Sequence, residues 1–354
     1  MKAYLILEDG HVFQGKSIGS EKEVISELVC NTSMTGYVEA LTDPSYSGQA
    51  IVMTYPLIGN YGVCYEDVES DKVWANGFIV RELARRPSNF RSEVTLEQFL
   101  IDNQITGISG IDTRALTKLL RSNGTMNGMI TTDENYVLED VIKQLKEYKV
   151  ENKVAETSCK EPIHYEGAGY KVALLDVGTR RNIVRLLQKR GCDITVYPYN
   201  TTAEELIEAN PDGILVSSGS GNPKDCIKLI EELQKIYHSD IPVFAIGLGH
   251  QLMALATGGD VEKMSYGHHG SNYPVRNLQN KKVYISAQNH GYVVKENSLD
   301  RDVCEPSFIN VNDGSVEGLH YLGRHIFTVQ FQPEGCVEFL YDEFMNMMEV
   351  RANA

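Results

Sequence analysis

Short runs of consecutive apolar residues alternate with segments of helical periodicity along the second half of the chain. The apolar runs predict strands at residues 172–176, 194–198, 213–217 and 243–246. The periodic segments between them predict helices at residues 182–190, 203–209 and 225–237. Strands that are apolar on both faces are typical of a parallel sheet covered by helices on either side. The pattern therefore predicts an α/β domain with a mostly parallel sheet flanked by helices.

The first half of the chain shows a different pattern, in which short strands are separated by turns. Residues 1–10, M-K-A-Y-L-I-L-E-D-G, predict a strand and a turn rather than a signal peptide. One clear helix is predicted over residues 112–121, with Asp112 as its N-cap and Gly124 just beyond its end. The first half is therefore expected to be an α+β domain.

A polar and irregular stretch separates the two patterns. Between residues 148 and 170 it contains Pro162, Gly167 and Gly169, which are typical of a connecting segment. A length of 354 residues is also sufficient for two hydrophobic cores. We therefore expect one domain over residues 1–150, a linker over 151–169 and a second domain over 170–354.

Charge and cysteine content limit which partners and which cellular compartment are expected for the protein. A formal charge of −15 argues against nucleic acid or an anionic membrane as the primary partner, and no apolar run reaches the length of a membrane span. The seven cysteines are an odd number without C-x-x-C spacing, which argues against a disulfide scaffold and against a metal site. A reducing, cytoplasmic location is expected.

The most informative segment is V-F-A-I-G-L-G-H-Q at residues 243–251. It runs from an apolar strand into a helix that is expected to begin near Gln251. This is the strand–turn–helix pattern of a nucleophile elbow, in which a tight turn presents one reactive side chain above a sheet. Gly247 occupies the reactive position and has no side chain, so it cannot form a covalent intermediate.

The segment resembles the G-I-C-L-G-H-Q elbow of the class I (triad) glutamine amidotransferases, with Gly247 in place of the cysteine. Residues 330–334, Q-F-Q-P-E, resemble the family's Q-Y-H-P-E segment, which carries the general base and its orienting carboxylate. Gln332 takes the base position, while Glu334 remains. An amide has no proton equilibrium near neutral pH and cannot act as a general base. Two changes at partner positions predict a natural loss of glutaminase activity.

The first half resembles the N-terminal domain of the carbamoyl phosphate synthetase small subunit, a domain that other glutamine amidotransferases lack. The matching motifs are C-N-T-S-M-T-G-Y at 30–37, L-T-D-P-S-Y-S-G-Q at 41–49, T-Y-P-L-I-G-N-Y-G at 54–62, I-D-T-R at 111–114 and G-T-M-N-G at 124–128. The second half agrees through S-Y-G-H-H-G-S-N-Y-P-V at 265–275 and Q-N-H-G-Y at 288–292. The resemblance covers essentially the whole chain.

This resemblance implies a partner and a pathway. In that family the small subunit hydrolyses glutamine, and the ammonia passes to a large subunit that uses ATP and bicarbonate to make carbamoyl phosphate for pyrimidine or arginine biosynthesis. The chain has no P-loop pattern, so no cofactor is expected on it, and ATP with Mg²⁺ is expected on the large subunit.

The resemblance also implies a set of binding residues. Residues 218–223, S-G-S-G-N-P, match a family segment N-G-P-G-D-P that contributes to an oxyanion hole. Its glycines, Gly219 and Gly221, are kept, as is Leu248 after the elbow, whereas Ser220 and Asn222 are departures. The remaining implied contacts to glutamine are Ser45, Gln251, Asn289, Gly291 and Tyr292.

Three functions remain open on the sequence. The first is a structural or allosteric subunit whose glutaminase is lost, and the second is a module that binds glutamine without cleaving it. The third is a glutaminase with an unusual nucleophile, for which Cys336 is the nearest candidate, although a surface or filler thiol is the more ordinary role. His250, His268 and His290 lie in motifs where structural roles are expected.

Overall fold

The computed structural model describes residues 1–150 and 153–353, which form two compact units. One unit comprises Met1–Glu151 with Ser265–His269, and the other comprises Asn152–Met264 with Gly270–Ala354. Among the described residues, no helix has both the length and the apolar character that crossing a bilayer requires.

The first unit is built around a closed barrel in the order β1-β2-β8-β6-β4-β3-β9. A two-stranded parallel sheet, β5-β7, lies outside the barrel. The strands are β1 (Lys2–Leu7), β2 (Val12–Gly19), β3 (Val24–Asn31), β4 (Gln49–Met53), β5 (Leu57–Ile58), β6 (Gly77–Ile79), β7 (Glu82–Leu83), β8 (Thr106–Ser109) and β9 (Asn127–Thr131). Closure removes the exposed edges that an open sheet of this size would have.

The helices of the first unit are α1 (Tyr37–Thr42), α2 (Leu96–Asp102), α3 (Thr113–Asn123) and α4 (Leu138–Glu147). The predicted helix is confirmed as α3, where the Asp112 side chain accepts a hydrogen bond from the Ala115 N–H and Gly124 follows at φ 94°. The sequence pattern missed the other three helices. Two of them have only six and seven residues, which is too short to establish a helical period.

The second unit contains a ten-stranded sheet in the order β10-β12-β11-β13-β14-β19-β18-β17-β15-β16. Strands β12, β11, β13, β14 and β19 are parallel, as the continuous apolar runs predicted. The strands are β10 (Ile163–Tyr165), β11 (Lys171–Asp176), β12 (Asp193–Pro198), β13 (Gly213–Val216), β14 (Val243–Ile246), β15 (Val261–Asn277), β16 (Val283–Val294), β17 (Cys304–Asn310), β18 (Val316–Tyr321) and β19 (Ile326–Val329).

Helices cover both faces of the parallel strands. They are α5 (Val154–Thr157), α6 (Arg181–Gln188), α7 (Ala203–Glu208), α8 (Ile227–Tyr237), α9 (Leu248–Ala256) and α10 (Phe339–Ala352). On β14, Val243 and Ala245 belong to the core that includes α7, α8 and α9. Phe244 and Ile246 belong to the core that includes α6 and α10. Because all four β14 side chains are fully buried, the strand's end is held firmly in place.

The stretch expected to be a linker differs from that expectation. Its first two residues, 151 and 152, lie outside the described residues. Beyond them, α5 packs Val154 into the second unit's core, and β10 pairs antiparallel with β12 at the edge of the sheet. The polar composition of the stretch reflects its position at an exposed edge, where only a few side chains need to be apolar.

Candidate functional site

The elbow forms with the backbone geometry that its sequence predicts. Gly247 directly follows β14 and has φ 58° and ψ −112°, a conformation that side-chain-bearing residues rarely adopt. Its N–H donates a hydrogen bond to the Val329 carbonyl on the neighbouring strand β19, at 2.8 Å. The helix begins at Leu248 rather than near Gln251, because the chain turns within the single residue Gly247.

A side chain at position 247 would have little room. A Cβ built on Gly247 would lie 3.0 Å from the Ser218 Cβ and 3.4 Å from the Ser218 Cα. Ser218 is 2% exposed and ends the segment that follows β13. Sequence reasoning missed it, although the family segment begins with asparagine at this position. Glycine at 247 therefore fits both the backbone angle and the space that Ser218 leaves.

The loop after β13 packs directly against the elbow. A Cβ on Gly219 would lie 2.1 Å from the Val177 carbonyl oxygen, so only glycine allows this approach. The N–H of Gly249 donates to the Ser217 carbonyl, and that of Gln251 to the Gly247 carbonyl. The N–H of Leu248, at the start of α9, is left without a hydrogen bond within the described part of the chain. The loop after β13 and the start of α9 are thus held against each other, and the assignment of an oxyanion hole there stays a prediction.

The polar side chains of the loop after β13 differ in their hydrogen bonding. Asn222 caps the short helical turn at Pro223–Asp225 by accepting a hydrogen bond from the Lys224 N–H at 3.2 Å, a role for which aspartate is equally suited. The hydroxyls of Ser218 and Ser220 are buried and lack a hydrogen-bond partner among the described residues. The Ser218 hydroxyl therefore has no hydrogen-bonded general base within residues 1–150 and 153–353.

The position of the general base lies at the same edge of the sheet as the elbow. Strands β14 and β19 are parallel neighbours, and Gln332 follows the end of β19 by three residues. Gln332 is 4% exposed, and its N–H donates to the Ala287 carbonyl at 2.9 Å. Its side-chain Oε1 has no hydrogen-bond partner in the described ranges. The side chain is therefore an amide group inside the site that cannot take up a proton.

The remnant carboxylate of Glu334 is paired with a buried cation. Glu334 Oε1 lies 2.7 Å from Arg180 Nη1, and the two side chains are 26% and 8% exposed. The contact is an ion pair rather than an aligned hydrogen bond. The guanidinium compensates the negative charge of the Glu334 carboxylate. Removing one partner of such a pair typically costs about 3–5 kcal/mol, because the other charge is left buried.

Asp176 fixes the loop that carries Arg180. This buried carboxylate ends β11 and accepts hydrogen bonds from the backbone N–H groups of Gly178 at 2.9 Å and Thr179 at 2.7 Å. It also accepts from the Cys159 N–H at 2.7 Å, which ties the stretch before β10 to the sheet. Arg180 is therefore positioned by backbone bonds immediately next to it, and sequence reasoning did not identify it.

The residues expected to contact glutamine fall in both units. Ser45 lies in the first unit, in the helical turn Pro44–Tyr46, where its hydroxyl donates to Asp43 at 2.6 Å. Asn289, Gly291 and Tyr292 lie on β16 in the second unit, and a Cβ on Gly291 would meet no atom within 4 Å. Gly291 therefore borders open space, and its contact with glutamine stays a prediction.

The Gln251 side chain is buried in the interior of the second unit. It is 3% exposed, and its Nε2 donates to the Tyr292 carbonyl at 2.9 Å and to Gln330 Oε1 at 2.8 Å. Both amide hydrogens are therefore used, and the Gln251 oxygen is the group left to accept from a ligand.

His250, His290 and Cys336 each have contacts of their own in the second unit. Burial lowers the pKa of His250 to about 3, and its Nδ1 lies 2.7 Å from the Thr328 hydroxyl within the core. The ring nitrogens of His290 contact the Tyr292 carbonyl and Gln288 Oε1, each at 2.8 Å. Cys336 is exposed, and its thiol donates to the Ile285 carbonyl at 3.2 Å.

One pair of potential metal ligands is found within the second unit. Ligand atoms of His290 and Glu317 lie within 4.8 Å of one another. Glu317 Oε1 also accepts a hydrogen bond from Asn310 Nδ2 at 2.8 Å. Both side chains thus belong to a buried hydrogen-bonded network, which supports a structural role.

Each half of the chain matches a known protein family. Residues 5–130 match the family described as carbamoyl-phosphate synthase small chain, CPSase domain, and residues 173–338 match glutamine amidotransferase class-I. The first unit thus has the small-chain domain and the second the class I glutamine amidotransferase fold, which confirms the expected architecture.

Full-length relatives and a solved structure were also found. The carbamoyl phosphate synthase small chain of Clostridium perfringens is 49% identical and covers 98% of this chain and 99% of its own. That of Caldanaerobacter subterraneus is 47% identical and covers 99% of this chain and 97% of its own. A solved glutamine amidotransferase from Thermotoga maritima is 15% identical with a TM-score of 0.38, covering 53% of this chain and 87% of that chain.

The crowding at the elbow predicts coupled effects on stability. Gly247→Ala is expected to lower the free energy of unfolding by about 1–3 kcal/mol from backbone strain, plus a packing cost against Ser218. Ser218→Gly should recover the packing part, with a coupling of at least about 0.5 kcal/mol in a double-mutant cycle. The control is Gly323→Ala, since Gly323 has φ 67° but a Cβ there meets nothing within 4 Å. If Gly247→Ala and Gly323→Ala lower the free energy of unfolding equally, the space around position 247 is not restricted.

Proposed function

Because the chain belongs to the carbamoyl phosphate synthase small chain family, we propose that it is a small subunit whose own glutaminase step is silent. The observation that supports this most directly is the elbow itself. Its backbone angle, its strand and its helix are all kept, yet Gly247 presents no atom that could attack a carbonyl.

The other two triad positions agree with this proposal. Gln332 cannot accept a proton, and Glu334 is neutralised by Arg180 at 2.7 Å. An enzyme that lacked only the nucleophile would still hold a base oriented by a free carboxylate. All three triad positions differ from that arrangement, so a single substitution is not expected to restore hydrolysis.

We propose that the chain still acts with a partner. Its relatives are named as small chains, a name that implies a larger counterpart. We assign to that large chain the binding of ATP and Mg²⁺ and the synthesis of carbamoyl phosphate from free ammonia, in the cytoplasm, for pyrimidine or arginine biosynthesis. This subunit would then contribute structure, and regulation through its contact with the large chain.

A second candidate is a module that binds glutamine without cleaving it. Ser218 packs against Gly247, and Ser220 and Gln332 lie in the segments after β13 and β19. Each has a buried polar atom without a partner among the described residues, and such atoms gain free energy when a ligand or water satisfies them. In this candidate, the Leu248 N–H would donate a hydrogen bond to the carbonyl oxygen of the glutamine side-chain amide. Gln332 Oε1 would accept a hydrogen bond from the nitrogen of that amide.

Restoration of the triad tests the assignment of the site. The purified chain and Gly247→Cys alone should release no ammonia from glutamine above the solvent background, because neither has a base at position 332. Gly247→Cys with Gln332→His should recover part of the activity, limited by Ser218 and by the Arg180–Glu334 pair. Single-turnover ammonia release is the measurement. Hydrolysis by the unmodified chain at about 1 per second or faster would contradict the loss of activity.

The complex with the large chain should use only ammonia. Co-expressed with a cognate large chain, the subunit should co-purify with it, and the complex should form carbamoyl phosphate from ammonia, ATP and bicarbonate. Added glutamine should not increase the rate. The control is the same large chain with an intact glutaminase subunit from a relative. A glutamine-dependent rate in the complex would place an active glutaminase in this chain.

Calorimetry separates the two candidates. If the chain is a glutamine sensor, titration with glutamine should give saturable heat that Gln332→Leu weakens by roughly tenfold or more, because one buried hydrogen bond is lost. Gln279→Leu, in the turn between β15 and β16, is the matched control. Absence of heat up to millimolar glutamine would exclude the sensor and leave the silent subunit.

A further inference from the structure

One segment of the first unit differs in charge from the rest of the chain. Residues 81–91, R-E-L-A-R-R-P-S-N-F-R, carry four arginines and one glutamate in a protein whose formal charge is −15. Phe90 is 97% exposed, more than any other large hydrophobic residue in the described part of the chain. A fully exposed aromatic ring beside a cluster of cations is typical of an interface anchor.

The segment is held in a defined conformation. The N–H groups of Ala84 and Ser88 donate to the carbonyls of Ile58 and Asn60, each at 2.8 Å. Next to Phe90, the Asn89 side chain accepts from the Arg91 N–H at 2.8 Å, which closes a tight turn. Because the turn is already ordered, binding through Phe90 would lose little conformational entropy.

A cleft with a second exposed aromatic residue lies beside this turn. The open cleft has a volume of about 520 Å³ and is lined by Cys64, Tyr65, Glu66, Arg91 and Glu93. Tyr65 is 48% exposed, and its N–H donates to Glu93 Oε1 at 2.8 Å. Arg91 is paired with Asp67 at 2.7 Å and is therefore already neutralised.

The other three arginines of the segment, Arg81, Arg85 and Arg86, are exposed, and the last two are nearest in sequence to the turn that carries Phe90. Arg85 and Arg86 are exposed, and neither forms an ion pair with a carboxylate within residues 1–150 or 153–353. They follow β7 and precede the turn that carries Phe90. Their charges would be neutralised by acidic groups on another molecule, while Phe90 enters an apolar pocket there.

We propose that Arg85, Arg86, Phe90 and Tyr65 form a docking face for an acidic surface of a partner protein. This inference rests on the proposed function, which supplies that partner as the large chain of the synthase. A protein fits better than a nucleic acid, because a chain with a formal charge of −15 repels a long polyanion, whereas a protein partner needs only a local acidic patch.

The test measures binding of the purified cognate large chain to the full chain by biolayer interferometry at several salt concentrations. Phe90→Ala is expected to weaken binding by roughly 30-fold or more, the scale of an interface hot spot. Arg85→Glu with Arg86→Glu should slow association and reduce its salt dependence. The controls are Val137→Ala, at a residue that is 58% exposed, and Lys143→Glu with Lys146→Glu on α4, which should stay within about twofold of the parent chain.

The outcomes distinguish this inference from the proposed function. Tight binding by the parent chain and equally tight binding by the Phe90 and arginine variants would overturn the docking face and leave the proposed function standing. No binding by the parent chain would overturn both. Binding of duplex DNA or RNA that only the arginine variant loses would instead assign the face to nucleic acid. Unchanged melting temperatures would show that the variants remain folded.

Discussion

The site depends on one backbone constraint, the turn at positive φ between β14 and α9. Gly247 reverses the chain in a single residue, and the two hydrophobic cores on either face of β14 hold the strand end from which the turn starts. Every other feature of the site is placed relative to it. Ser218 packs against Gly247, and the Leu248 N–H is the first donor of the helix.

This constraint explains why glycine suits the turn. In an elbow with a reactive side chain, the residue at the turn must tolerate a strained backbone that the surrounding packing enforces. Gly247 adopts the same positive φ with little strain. The parallel strands, the loop at Gly219 and the helix α9 are therefore compatible with an elbow that presents no side chain.

Charge balance explains how the structure accommodates Glu334. A partly buried carboxylate without a partner would carry an uncompensated charge, which is costly. Arg180 supplies the compensation at 2.7 Å and is itself positioned by the backbone bonds that Asp176 accepts. The pair links the ends of β11 and β19 at the edge where the elbow lies.

The sequence alone determined the parallel sheet, the helix α3 and the turn at Gly247, because local periodicity and residue chemistry specify them. The assignment of the base position to Gln332 stays a prediction from the family resemblance. It did not determine the start of α9, the elements α5 and β10 within residues 153–169, or the short helices α1 and α2. It also did not determine the contacts of Ser218 and Arg180. Those features arise from contacts between residues distant in sequence. Ser218 meets Gly247 only because β13 and β14 are neighbours, and Arg180 meets Glu334 only because β11 and β19 end at the same edge. Strand order is decided by packing of the whole unit, and no local pattern encodes it.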